Sequence, residues 1–326
     1  MHREDIRTGY RYQFVSTEAD IDTPVQVQTI ITNRVWSLLE VHWVLKLAVF
    51  AAAFIFLIKL IFAFLLINPW KQSISNSNKE QPKKLLLISF DGFRWDYIQR
   101  NPNTPNFRHL ISNGAFANNG IKNTFATKTF PNHYGIVTGL YEESHGIVGN
   151  DFFDPELNKT FLYHSGMDPG FFRGEPIWFT NDHKRGESSA EYRTGCVMWV
   201  GCDVAIKGHL PYRRLSHNRS LSWESRVDAL VSWFRDPHHP INLGLLYVEE
   251  PDETGHLWGP EAPEIDEVVT KLDNLTGYLV RKLKDADLFE DINIILTSDH
   301  GMTDTPLSST ITIDSYLPRS WYKDWG

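Results

Sequence analysis

Three short apolar runs stand out along the chain, and each leads into acidic residues. Leu85–Phe90 (LLLISF) is followed by Asp91, Leu243–Val248 (LGLLYV) by Glu249, Glu250, Pro251 and Asp252, and Ile292–Thr297 (INIILT) by Ser298, Asp299 and His300. Continuous apolar runs of this length predict buried strands that run parallel to one another. Helical spacing appears elsewhere. Pro105–Asn113 places Phe107, Leu110 and Ile111 on one side, and Ile265–Ala286 repeats Ile265, Val268, Val269, Leu272, Leu275, Leu279 and Leu283 along one stripe. The alternation of strand and helix predicts an α/β fold with a mostly parallel sheet flanked by helices. In open sheets of this kind ligands bind at the carboxyl ends of the strands. Acids that lie far apart in sequence are therefore expected to converge on one crevice.

Ahead of this region the pattern changes. Residues 1–46 are polar, mixed in charge and without periodicity, which predicts a cytoplasmic tail that forms no core. Residues 47–67 are apolar throughout except for Lys59, and about 20 such residues span a bilayer. A Lys near mid-span costs roughly 2.5–3.5 kcal/mol, which the surrounding Phe, Leu and Ile outweigh. A single transmembrane helix is expected here, and the run begins too late to be a signal peptide. Residues 68–84 form a polar linker, and 85–326 a globular domain or its N-terminal part. The basic flanks, Arg34 and Lys46 before the span and Lys71, Lys79 and Lys83 after it, lean slightly toward a cytosolic domain, but that rule is weak for long translocated domains. Glycosylation triplets at Asn158, Asn218 and Asn274 all follow the span and favour a single-pass type II protein with its domain extracellular or lumenal.

Charge and cysteine content narrow the classes. A formal net charge of −8 argues against a protein that binds nucleic-acid polymers by neutralising phosphate. It does not argue against a small anion held through a metal. Cys196 and Cys202 are the only cysteines. They either close a short bridge, as an oxidising compartment allows, or remain two small unpaired side chains.

The residues with chemistry each admit two readings. Asp91, before Gly92, is a helix cap or a metal ligand. Thr129 lies in Thr127-Lys128-Thr129-Phe130-Pro131-Asn132-His133, just ahead of a helix expected to run through Tyr134–Thr138. Its hydroxyl caps that helix or attacks a phosphorus beside the helix N-terminus. Asp252 and His256 share one face if their loop makes a helical turn, and are otherwise solvated. Asp299 and His300 both face one metal only on a bent loop, which Gly301 permits; otherwise they are a structural pair. Asp and His together suit a zinc-class cation.

Four blocks, in this order, resemble the ectonucleotide pyrophosphatase/phosphodiesterase family, whose fold is that of the alkaline phosphatase superfamily: DGFRWD from Asp91, TKTFPNHYGIVTGLYEESHGIVGN from Thr127, PDETGHLWGP from Pro251 and TSDHGM from Thr297. The likeness runs from about Lys84 to Tyr316, and the Cys/Ser-x-Pro-x-Arg motif of sulfatases, which share the fold, does not occur. The resemblance implies a membrane-anchored ectoenzyme that hydrolyses phosphodiester or pyrophosphate bonds of a small molecule, a nucleotide first, with two Zn2+ per active site. It implies that Asp91, Thr129, Asp299 and His300 hold one zinc, and that Asp252 and His256 belong to the second. Thr129 would be the nucleophile, with Lys128 alongside. Asn150 and a backbone amide near Thr129 would steady a phosphate oxygen.

In nucleotide-cleaving relatives the base lies between a Phe and a Tyr. Phe130 matches the first. Alignment through Trp199 and Asp203, which join the substrate-binding set, puts His217 at the second, in a loop reading WVGCD where the family has WPGSD. His217 either stacks on a base or is solvated. The family's third ligand to the second zinc, a His, falls downstream of position 326. The expected fold is therefore alkaline phosphatase-like but incomplete, with an exposed sheet edge, and the stretch by itself is not expected to be a competent enzyme. Two rivals remain: a lysophospholipid or choline phosphodiesterase, and a catalytically inactive surface protein.

Overall fold

The computed structural model describes residues 52–59, 83–165, 167–183 and 191–323. The chain divides into two units, Met1–Lys79 and Glu80–Gly326. In the first, residues 52–59 are helical and carry exposed apolar side chains from Phe54 to Ile58. The rest of the expected span over 47–67, the tail 1–46 and all of the 68–84 linker except its last two residues lie outside the described residues. Among the described residues no helix is long and apolar enough to cross a membrane.

The second unit is an α/β fold. Its strands are β1 (Lys84–Phe90), β2 (Asp151–Asp154), β3 (Lys159–Leu162), β4 (Thr194–Val197), β5 (Arg213–Leu215), β6 (Leu243–Val248) and β7 (Ile292–Thr297). Five of them form one parallel sheet in the order β5-β4-β6-β1-β7, and β2 and β3 form a separate antiparallel hairpin. The three apolar runs thus become the adjacent strands β6, β1 and β7. Their register, Ser89 opposite Tyr247 on one side and Thr297 on the other, makes their carboxyl ends emerge side by side. β7 pairs with β1 alone, so it is an edge strand among the described residues, and Ile295 on it is half exposed.

The helices that matter for the site are α1 (Pro105–Asn113), α2 (Thr129–Thr138), α3 (Trp223–Phe234), α4 (Asp252–Trp258) and α5 (Pro263–Asp285). α5 buries the whole stripe from Ile265 to Leu283. It begins at Pro263, two residues before the apolar pattern does, because Pro is pre-organised for the first helical turn. The N-terminus of α1 is capped from another helix: buried Asp273 of α5 accepts hydrogen bonds from the backbone N–H of Asn106 (3.2 Å) and Phe107 (2.7 Å). An anion there satisfies free amides and the helix dipole together. Gly277, one turn along α5, admits this contact, since a Cβ would stand 2.5 Å from Asn106.

Two sequence expectations are refined. Thr129 is the first residue of α2 rather than the one before it: Lys128 takes the cap position with extended backbone, and Pro131 is the third helical residue. Pro is tolerated there because the first-turn amides have no partner in the helix. Cys196 and Cys202, left open by the sequence, are bridged, with Cα atoms 6.4 Å apart.

A candidate cation site at three strand ends

Asp91 follows β1 directly, and its N–H donates to the Val248 carbonyl of β6 (2.9 Å). The Asp252 N–H donates in turn to the Asp91 carbonyl (3.0 Å). Gly92 sits between them at φ +67°, and a Cβ on it would lie 2.9 Å from Cα and Cβ of Asp252. Only glycine lets the two acids approach this closely. The Gly92 N–H also donates to Asp299 Oδ1 (3.1 Å), which draws in the end of β7. The residues from Asp252 onward form α4, so Asp252 and His256 do share a helix face, with His256 Nε2 3.5 Å from Asp252 Oδ2. His256 remains mostly exposed.

The site's character follows from what each carboxylate oxygen touches. Asp91 Oδ2 accepts from the Tyr247 hydroxyl (2.7 Å), Asp299 Oδ1 from Gly92, and Asp252 Oδ2 faces His256. The other oxygens, Asp91 Oδ1, Asp252 Oδ1 and Asp299 Oδ2, are buried and have no hydrogen-bond partner. Buried polar atoms are nearly always satisfied, and three orphaned acceptors in one place fit a cation. His300 adds a nitrogen, with Nε2 3.2 Å from Asp299 Oδ2 and 3.5 Å from Asp91 Oδ1. Asp91, Asp252 and His300 bring donor atoms within 4.8 Å of one another, and so do Asp91, His133 and Asp299. The first trio joins ligands that the resemblance divided between two zincs.

His133, on α2, is less suited to ligate. Its Nδ1 lies 2.8 Å from the Thr129 carbonyl and its Nε2 2.9 Å from Ser89 Oγ, so both ring nitrogens already have partners. Burial pushes its imidazole down to about 3, which keeps it neutral. Nδ1 also lies 3.3 Å from Asp299 Oδ2, so the ring supports that carboxylate. Neither His133 nor Tyr247 was singled out from sequence. The available signals were a His inside the TKTFPNHY block and a hydroxyl within an otherwise apolar strand.

Thr129, Lys128, Phe130 and Asn150 line the same cavity as the acids, a space of about 1710 Å³. Asn150 Oδ1 accepts from the Phe130 N–H (2.9 Å), leaving its Nδ2 as a donor. Phe130 packs against Tyr163, ring centres 5.9 Å apart, and both line the cavity. Trp199, Asp203 and His217 are not among the lining residues. Trp199 is buried behind His133, its indole N–H donating to the His133 carbonyl (3.3 Å). Asp203 is exposed and accepts from the Ser216 hydroxyl (2.7 Å), and His217 is exposed. A second set of lining residues is apolar: Leu110 and Ile111 of α1 with Phe289, Ile294 and Leu296 around β7.

Burial, then the charges of Asp299 and Asp252, holds the Asp91 carboxyl well above its usual range. Burial likewise raises Asp299, to about 7. Burial and the Asp91 charge raise the Tyr247 phenol, which therefore stays a neutral donor. In metal-free protein these carboxyls keep protons that the unfolded chain has released, so stability falls as pH rises through the raised values. Below about pH 6.5 the buried, neutral His133 opposes this trend, because its imidazole gains a proton only on unfolding, so the fall is clearest as pH approaches and passes 7. Stability of chelator-treated protein is expected to fall as pH rises from the ordinary carboxylate range through about 7, where Asp299 gives up its proton, and to level off once Asp91 and Asp299 are both ionised, with a slope of up to about 1.4 kcal/mol per pH unit for each retained proton. Denaturant unfolding at a series of pH values, with and without a divalent cation, measures this. A flat metal-free profile contradicts it.

A family model described as type I phosphodiesterase / nucleotide pyrophosphatase matches residues 85–324. Human ectonucleotide pyrophosphatase/phosphodiesterase family member 5 is 44% identical over 255 residues, covering 77% of this chain and 52% of that protein. Human bis(5'-adenosyl)-triphosphatase ENPP4 is 43% identical over 250 residues, 76% of this chain and 54% of that protein. The chain thus spans about half the length of the curated relatives it matches. Among solved structures, an inactive Thr-to-Ala variant of the murine family member 5 in complex with AMP superposes with a TM-score of 0.69 at 45% identity, covering 74% of this chain and 63% of that one.

Proposed function

The chain belongs to the type I phosphodiesterase / nucleotide pyrophosphatase family, and on that premise we propose that it hydrolyses phosphodiester or pyrophosphate bonds of nucleotides at the site formed by Asp91, Asp252, Asp299 and His300. The observation that carries the proposal is the set of three buried carboxylate oxygens without partners in a cavity that Thr129 also lines. Asp91, Thr129, Asp299 and His300 would hold one zinc, and Asp252 and His256 would contribute to a second. Zinc bound there supplies positive charge that lowers the pKa of a nearby hydroxyl and offsets charge on the reacting phosphate.

The chain's own residues do the rest. Thr129, in the first turn of α2, presents its hydroxyl where free backbone amides favour an anion. Thr129 Oγ1 attacks phosphorus and loses its proton to solvent. The bond to the leaving oxygen breaks, and that oxygen takes up a proton, giving a nucleotidyl-threonine. Water then hydrolyses this ester, releases the nucleoside monophosphate and restores the hydroxyl. Asn150 Nδ2 donates to a non-bridging oxygen, Lys128 adds charge beside it, and Phe130 offers an aromatic face to the base. His217, exposed and, with Asp203, outside the cavity lining, would be the second face of the base site, whereas buried Trp199 supports His133 from behind.

The murine relative's complex with AMP supports the nucleotide. The apolar wall of Leu110, Ile111, Phe289, Ile294 and Leu296 favours a second reading, a lysophospholipid whose acyl chain lies along it. Calorimetric titration of zinc-loaded protein with AMP, phosphocholine and lysophosphatidylcholine separates the two. AMP is expected to bind, and to be lost on chelation. Binding of the choline compounds in its place moves the assignment to lipid, and no binding by any of them ends the enzymatic reading. The same proposal keeps residues 47–67 as a single anchor with the domain outside the cytosol. Support comes from the apolar run and from Asn158, Asn218 and Asn274, all exposed.

A further inference from the structure

Asp91 stands in both candidate donor groups, yet only one of its oxygens lacks a hydrogen-bond partner. The reason lies in the neighbouring strand. Tyr247 is the penultimate residue of β6, opposite Ser89 of β1, and its hydroxyl donates to Asp91 Oδ2 at 2.7 Å. The ring is buried and edge-on to His133, with centroids 5.1 Å apart. His133 in turn is fixed through Ser89 Oγ at 2.9 Å. Strand pairing and the edge-on contact with His133 hold the phenol against Asp91. Oδ2 is occupied and Oδ1 is left bare, facing His300 Nε2 at 3.5 Å.

We infer that Tyr247 is a positioning residue for the cation site: its hydroxyl locks the Asp91 carboxylate so that it ligates through Oδ1 alone. This rests on the reading of the three acids as a cation site. A carboxylate free of such a bond rotates and takes a cation with both oxygens, which spends an acceptor that the neighbouring position needs. A partner behind a metal ligand is worth about 10- to 100-fold in metal affinity. Tyr247→Phe removes the donor and keeps the ring that packs against His133.

The test uses the full chain, as parent and Y247F. Zinc affinity is measured by competition with a chromogenic chelator, the visible spectrum is recorded with Co2+ in place of zinc, and thermal unfolding of the metal-free forms checks that the fold is retained. The expected result is a zinc affinity weaker by about 10- to 100-fold, together with altered Co2+ bands that report a changed ligand set. Equal affinity in parent and variant overturns the inference and leaves the cation site standing. Weaker affinity with unchanged Co2+ bands also overturns it, since Asp91 then ligates as before. Failure of the parent to bind zinc overturns both. Tyr247→Leu, which removes donor and ring together, is the second variant. Orientation by the hydroxyl predicts that Y247F reproduces most of its loss, whereas a loss confined to Y247L assigns the effect to packing and overturns the inference.

Discussion

Replacing Thr129 by Ala is expected to abolish hydrolysis of a nucleotide ester, by about a thousandfold or more in any form of this domain that turns over, while AMP affinity changes by less than about threefold. The two readouts separate because the side chain and the backbone of Thr129 do different work. Its carbonyl receives His133 Nδ1 at 2.8 Å, a contact that Ala preserves. Lys128, not Thr129, occupies the cap position of α2, so the helix also survives. What is lost is the attacking oxygen, and with it the covalent adduct that an acid quench of the parent should trap on this residue. The inactive Thr-to-Ala variant of the murine relative that holds AMP is the precedent for binding without turnover. A variant that keeps a tenth of the parent's rate would show that the nucleophile lies elsewhere.

Asp91→Asn carries the second large effect, and its sign differs with and without metal. Asn is isosteric and still accepts from Tyr247, but it offers the cation a neutral group in place of a charged one. Zinc is expected to lose its stabilising effect on the variant almost entirely, since a bound ligand stabilises only in proportion to its affinity. The metal-free variant, by contrast, is expected to be more stable than the metal-free parent at about pH 8, by about 1–2 kcal/mol. The substitution replaces a carboxyl whose ionisation is opposed first by burial and then by the charges of Asp299 and Asp252, which together hold Asp91 well above its ordinary range. Thermal unfolding of both proteins with zinc and with chelator shows whether the order reverses. A variant less stable than the parent under chelation would mean that Asp91 stabilises the fold through something other than a cation.

The sequence revealed the middle of the sheet better than its flanks. β1, β6 and β7 are buried or half-buried runs of six or seven residues bounded by acids, and periodicity finds such strands directly. β4 and β5 are four and three residues long, the latter reading RRL, too short and too charged to rise above the background. Of the site, Asp91, Asp252, Asp299 and His300 were legible because each stands where a strand ends. How closely Asp252 approaches Asp91 was not, because it depends on Gly92 letting Asp252 fold over Asp91, a backbone contact that no spacing encodes. Tyr247 was hidden for a related reason. A tyrosine in an apolar strand looks like core until the neighbouring strand supplies a carboxylate at 2.7 Å.

The bridge between Cys196 and Cys202 encloses the turn that carries Trp199, and the indole of that residue leans edge-on against His133, with ring centres 5.1 Å apart. His133 is the brace under Asp299. The candidate cation site is thereby backed, through Trp199 and His133, by a bond that reduction would open. A copy synthesised where thiols stay reduced would carry every ligand, yet set them on a floor whose rear support is slack.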